Sequence, residues 1–322
     1  MLMQRFRWLF TFDYMGHKKW YFAISALVIG AGLLSMFIRG GGNPIDGIQY
    51  GLEFRTGTSV SVEFSQPVTM ADVRTVVEEQ GIRNPVIQES RDAAGERFSY
   101  QIQTDTLTPR QEAALKAALH EEFIIADGGS AYASESVGAT FGRDVITASY
   151  KAVALALVLI LIYVTIRFEW KYAIGALAAL GHDLLVVIGV YSLVGRELTT
   201  GSVAAILTIL GYSLYDNVIV FDRIRENTPR MRSVRYGNMV NRSVAETIVR
   251  SINTSLITLV PVLCLLIFGG DTLKDFAFAL TVGIVSGAYS TICVASPVAT
   301  VLKEREPQYR KLAARADAVK GS

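Results

Sequence analysis

Asp216 interrupts an apolar run that extends over residues 202–221. A carboxylate in hydrocarbon is expensive and as a rule faces a partner or a water-filled path. A second run, 172–194, carries His182-Asp183 at its centre. A third, 252–268, is preceded by Arg250, and Ser251, Thr254, Ser255 and Thr258 recur there at three- and four-residue spacing, which places them on one helical face. A fourth, 276–302, holds Gly283 and Gly287 with Ser286 and Ser290 close by, a small-xxx-small pattern that permits close helix approach. These residue types suit proton transfer. Low dielectric disfavours the charged form of a carboxyl and a nearby guanidinium favours it, so an acid with access to both is a workable relay. Asp216 is therefore the candidate proton site. Arg250, at the end of the next run, is its candidate partner. His182, Asp183, Thr254 and Ser255 are candidates for further relay groups or for structural polar groups. The competing reading makes Asp216 and Asn217 interhelical glue held by Ser and Thr hydroxyls. It is the weaker one for Asp216 and stays open for His182 and Asp183.

The elements that must position these groups follow from composition and hydropathy. The chain of 322 residues is 51% hydrophobic and 19% charged, against roughly 25% charged in soluble domains. Its mean hydropathy is +0.35. That is the balance of an integral membrane protein with a sizeable aqueous portion. Residues 1–20 form a basic and aromatic approach to the membrane, with Arg5, Arg7, Trp8, Phe10, Phe12, Lys18 and Lys19. The first span is 21–38, broken by Gly40-Gly41-Gly42-Asn43-Pro44. No cleavage site follows it, so it reads as an anchor that stays. Five further spans, 148–166, 172–194, 202–221, 252–268 and 276–302, each approach the ~20 residues a bilayer needs, and 303–322 is a tail. Both cysteines, Cys264 and Cys293, lie in apolar runs and read as small buried hydrophobes.

Orientation comes from basic residues. The segments 1–19, 167–171, 222–251 and 303–322 hold 4, 2, 7 and 6 Lys and Arg, while the loops 195–201 and 269–275 hold one each. Both termini are then expected in the cytoplasm and residues 39–147 outside. The arginine run Arg223, Arg225, Arg230, Arg232, Arg235, Arg242 and Arg250 reads as an orientation signal and a contact for anionic lipid, with no nucleic acid expected.

Residues 39–147 differ in kind, with 9 Lys and Arg against 16 Asp and Glu. Thr58–Gln66 alternates, with Val60, Val62 and Phe64 on one face, and predicts a strand. Thr69-Met70-Ala71-Asp72 predicts a capped helix start, and that helix runs through Gln80. Val86–Gln88 and Arg97–Thr104 predict strands, and Thr108-Pro109-Arg110-Gln111 starts a second helix to about Phe123. A last strand is expected near Ser130–Val137. The order βαββαβ is that of an α+β ferredoxin-like domain inserted between the first and second spans. It holds no nucleophile–base pair, metal-ligand spacing or phosphate loop. His120, beside Glu121 and Glu122, reads as a surface residue, and the domain as a binding or lever module. No enzymatic activity, cofactor or metal is expected.

The stretch from Gly211 to Asp216, followed by Phe221-Asp222-Arg223-Ile224-Arg225-Glu226-Asn227, resembles the fourth-span signature of the SecF family of protein-export membrane subunits. Asp13–Trp20, Ser136–Asp144, Arg167-Phe168-Glu169-Trp170, His182-Asp183 and Arg250–Leu256 resemble the family too. The family's Gly-x-Asp-Phe-x-Gly-Gly is Gly51–Gly57 here, with Glu53 and Arg55, and Ala139 and Asp144 stand where Pro and Glu are usual. The resemblance implies the membrane fold of the RND superfamily, with this chain as one six-helix half. It implies an accessory role in the Sec translocase, beside SecD and the SecY-E-G channel. The proton motive force would drive preprotein export after the ATP-driven step, with Asp216 as proton site, Arg250 as partner and Na⁺ as the alternative coupling ion. A proton-driven small-molecule efflux half-transporter of the same superfamily is the competing function. A lone half would expose the polar faces of its third and fourth spans, which predicts an obligate partner covering them.

Overall fold

A computed structural model describes residues 12–51, 54, 57–82, 85–91, 98–125, 131–137, 139–230 and 234–320. Residues 1–11, most of the Gly51–Gly57 variant and Arg232 lie outside them. The chain divides into two compact units, one of residues 1–49 and 150–322 and one of residues 50–149.

The smaller unit is a four-stranded sheet with two helices: β1 (Gly57–Phe64), α2 (Met70–Glu79), β2 (Val86–Arg91), β3 (Phe98–Thr104), α3 (Pro109–Glu122) and β4 (Tyr132–Val137), where α1 is the span that precedes them, Lys18–Arg39. The strand order is β2-β3-β1-β4, antiparallel throughout, the arrangement a βαββαβ chain of ferredoxin type produces. Alternation sets its core: Val60, Val62 and Phe64 of β1 and Tyr100 and Ile102 of β3 meet Val73 and Val77 of α2 and Leu115 and Leu119 of α3. Both helices begin with complete capping boxes, Thr69 with Asp72 and Thr108 with Gln111, so their first free N–H groups are bonded by side chains. His120 is exposed.

Among the described residues six helices are long and apolar enough to cross a membrane. After α1 come α4 (Ala139–Arg167), α5 (Trp170–Val194), α6 (Thr200–Asn227), α7 (Tyr236–Phe268) and α8 (Gly270–Ser290), the last continuing through a π-turn, Thr291–Ala295, into α9 (Ser296–Glu304). The π-turn precedes Pro297, which has no N–H to give its helix; the Ser296 N–H and hydroxyl instead both reach back to the Thr291 carbonyl. The helices overrun the apolar segments at their ends, because a helix keeps its backbone bonds in water as well as in lipid. A tail helix, α10 (Pro307–Lys320), follows.

Packing is uneven around the bundle. α1 and α5 touch backbone to backbone: a Cβ added to Gly32 would stand 2.5 Å from the Gly189 Cα. One turn on, Ser35 and Ser192 share a hydrogen bond of 3.0 Å. α5 ends at Gly195, whose positive φ of 76° lets its N–H and that of Arg196 close onto the Tyr191 carbonyl. α6 then opens on a Thr199–Ser202 capping box. By contrast α4 and the far half of α7 present leucine, isoleucine and valine outward, among them Leu155, Leu159, Ile162, Leu256, Ile257 and Val260. Cys264 stands on that exposed apolar face of α7, contrary to the expectation of burial, while Cys293 is buried in the π-turn.

Candidate functional site

Two apolar clusters fill the six-helix unit. One gathers Ala173, Ala176 and Ala179 of α5, Val220, Phe221 and Ile224 of α6, Val244 and Ile248 of α7, and Val294, Ala295 and Ala299 of the last span. The other gathers Val187 and Tyr191, Ala205, Ile206 and Ile209, and Ala279, Leu280 and Ile284. On α5, α6 and the last span, the stretches between the two clusters carry a group of buried polar residues: His182 and Asp183; Ser213, Asp216 and Asn217; Ser286, Ser290 and Thr291. All are buried, from 0% exposed for Asp183, Ser213 and Asn217 to 8% for His182. This layer is sealed inside the chain itself. The expectation that a lone half leaves its polar faces uncovered is therefore corrected: α7 and the last span already cover them.

Asp183 is the most densely bonded group in the layer. Its Oδ1 accepts from the Ser286 hydroxyl at 2.6 Å and lies 3.2 Å from His182 Nδ1. Its Oδ2 accepts from Ser213 and Ser290, each at 2.8 Å. Glycine makes the site possible: a Cβ on Gly287 would meet Ser213 Cβ at 3.3 Å and the carboxylate at 3.7 Å. His182 stacks on Tyr289, ring centroids 5.7 Å apart, and the Tyr289 hydroxyl donates to the Tyr21 carbonyl of α1.

Asp216, 2% exposed, receives one side-chain hydrogen bond, from the Ser251 hydroxyl at 2.8 Å. A turn further along, the Tyr212 hydroxyl donates to Ser255 at 3.3 Å. Thr254 and Thr258 turn their hydroxyls back to carbonyls of their own helix. The polar stripe thus splits, with Ser251 and Ser255 facing α6 and Thr254 and Thr258 bonded locally.

Arg250 is not brought to Asp216. Its side chain is exposed and enters no ion pair among the described residues. Helical phase is the reason: Ser251 faces α6, and the residue before it is turned by about 100°. Three other arginines of the run, Arg223, Arg230 and Arg242, do find acids. Arg223 joins Glu246 at 2.6 Å and Glu226 at 2.7 Å, and Asn227 donates to Ser243 and Glu246, which ties the end of α6 to α7. Arg242 and Arg230 pair with the same two acids. Asp13 accepts from the Gly16 N–H and from Asn241, which hold its carboxyl below the usual carboxylate range despite its partial burial.

Ser213, Ser286 and Ser290 escaped the sequence reading as partners of Asp183. Their signal was present: Ser286 and Ser290 are four residues apart, on one face, beside the glycines that bring the helices together.

Six apolar helices among the described residues, four of them enclosing a sealed layer of carboxyl, hydroxyl and amide groups, with a ferredoxin-like unit inserted after the first, define an α-helical polytopic membrane protein. The family model described as "Protein export membrane protein SecD/SecF, C-terminal" matches residues 123–305. The chain belongs to the SecD/SecF family of protein-export membrane proteins. Protein translocase subunit SecF of Cereibacter sphaeroides is 37% identical over 265 residues, 80% of this chain and 81% of that one. Its counterpart from Streptomyces coelicolor is 33% identical over 309 residues, 94% and 79%. The crystal structure of SecDF from Thermus thermophilus, described as a translocon-associated membrane protein, superposes with a TM-score of 0.79 at 32% identity, over 91% of this chain and 39% of that one. The membrane fold is the RND-type half that the sequence resemblance implies.

Proposed function

We propose that this chain is an accessory subunit of the Sec protein translocase, set in the cytoplasmic (inner) membrane with both termini in the cytoplasm. In this reading it works with SecD beside the SecY-E-G channel. It draws on the proton motive force to promote preprotein export after the ATP-driven step, and its arginine-rich end rests on anionic lipid. The relatives named as translocase subunits support the role. The SecDF name joins two subunits, and this chain covers 39% of that protein, which supports SecD as the partner.

The observation that carries the proton reading is Asp216: a carboxyl 2% exposed, between two apolar clusters, with one serine hydroxyl for company. An ionised carboxylate has acceptor sites for about four hydrogen bonds. With one filled by a side chain, the carboxyl keeps acceptor sites to spare, as an acid that gains and loses a proton needs. An opening that admits water or brings in Arg250, whose guanidinium stands one residue from Ser251, would favour the ionised form. Cycling between the protonated and ionised forms moves a proton, and each charge carried across the membrane is worth roughly 2.3 kcal/mol per 100 mV. A bare Na⁺ would need a cage of oxygens, which Asp216 with Ser251 alone does not offer. Asp183, with donors on both carboxylate oxygens, serves with His182 as the fixed part of the layer; Ser255 extends the polar face toward Tyr212, and Thr254 is structural.

Asp216→Asn should leave assembly with SecD intact and abolish the stimulation of secretion by a proton gradient in inverted membrane vesicles. Normal stimulation in that variant would sink the assignment.

A further inference from the structure

Two side chains in the buried layer have no hydrogen-bond partner among the described residues: both amide atoms of Asn217, and the hydroxyl of Thr291. Each residue is 0% exposed. A buried polar atom left unpaired costs about 1–3 kcal/mol, and native interiors hold few of them.

The contact row between α6 and the last span leads to both orphans. α6 and the last span run side by side, and their contacts repeat turn by turn. A Cβ on Gly283 would fall 2.1 Å from the Ile209 side chain, and one on Gly287 would fall 3.3 Å from Ser213 Cβ. The same four-residue step along both helices leads from Ser213 to Asn217 and from Gly287 to Thr291. Ser213, one turn before Asn217, and Ser290, the residue before Thr291, both bond Asp183. Thr291 also opens the π-turn, where the backbone departs from the regular helix.

We infer that a water molecule is bound between Asn217 and Thr291. The unpaired atoms select the ligand. Asn217 Nδ2 must donate, Oδ1 must accept, and the Thr291 hydroxyl can do either. Water both donates and accepts, so it satisfies all three. A metal cation would leave Nδ2 unpaired, an anion would leave Oδ1 unpaired, and an apolar guest would satisfy neither. Buried waters typically make about three hydrogen bonds to groups otherwise unsatisfied, which is the number offered here. The site extends the hydrogen-bonded row of Asp183 by one turn, to the residue next to Asp216. It does not depend on the proton reading, since the orphaned atoms require a partner whatever the layer does.

Water-edited solid-state NMR of the full chain in lipid bilayers, with asparagine side chains labelled with ¹⁵N, tests it. The Asn217 amide, assigned through its own backbone, should receive magnetisation from water as fast as an exposed asparagine such as Asn43. Thr291→Val, which keeps the shape and removes the hydroxyl, should slow that transfer several-fold, and Thr291→Ser should restore it. Slow transfer to Asn217 in the unmodified chain would overturn the inference. So would transfer that Thr291→Val leaves unchanged, since the water would then not be held between the two.

Discussion

Asp183 and Asp216 lie in the same layer, on neighbouring helices, and are hidden to the same degree, 0% and 2% exposed. Their surroundings differ. Three serine hydroxyls and an imidazole converge on Asp183. One serine hydroxyl reaches Asp216. Burial therefore does not distinguish a working acid from a structural one; the number of fixed donors does. A carboxyl wrapped by donors from three helices ties those helices together and changes state only if they separate. A carboxyl with one donor has acceptor sites to spare and can exchange its proton without dismantling the bundle.

This contrast breaks first at stability. Asp183→Leu strips the acceptor from Ser213 and Ser286 and leaves Ser290 only its 3.3 Å bond to the Gly287 carbonyl, all three hydroxyls being fully or nearly buried. Each orphaned hydroxyl costs about 1–3 kcal/mol, so the loss should reach several kcal/mol and show as a large fall in the thermal midpoint of the detergent-solubilised protein. Asp216→Leu orphans only Ser251, whose hydroxyl can turn back to the carbonyl of its own preceding turn. Its cost should stay near 1 kcal/mol or below, measured the same way, while the proton-driven stimulation disappears. Equal losses of stability in the two variants would erase the distinction. Full activity in the Asp216 variant would reverse it.

Much of this was legible before any coordinates. Asp216, His182 and Asp183 announce themselves as breaks in apolar runs, and the Thr69 and Thr108 caps follow from residue types three apart. What the sequence could not carry was helical phase between separate elements. Ser213 stands three residues before Asp216, yet it bonds Asp183 of another helix, because the glycine face of the last span sets how α5 and α6 approach. Arg250 has the right charge at the right depth, but Ser251 holds the inward position. The βαββαβ order of the small unit fared better, since period-two alternation and capping signals mark strands and helices locally, without any need for phase between elements.

The smallest effect concerns a carboxyl of the opposite kind, at the basic end and close to water. Burial pushes Glu306 up, but hydrogen bonds from Lys171 and Lys303 outweigh it and hold the carboxyl below its ordinary value of about 4.5. Glu306 stands immediately before α10, whose Tyr309 ring packs on Tyr236 with centroids 4.5 Å apart. A carboxyl whose value is depressed on folding contributes stability that is complete above the ordinary value and is lost as pH falls through the lower, folded one. The docking of α10 should accordingly be constant near neutrality and loosen only in acid, below the range where free glutamates titrate. Lys303 keeps Glu169 throughout, so the loosening should be partial. A spin label on the exposed Ala314 would report it as a rise in mobility on acidification. Glu306→Gln, which cannot ionise, should show the looser state already at neutral pH and no further change in acid. If its mobility instead followed the same pH curve as the unmodified chain, another group would be titrating, and the two lysines would not be what keeps the tail in place.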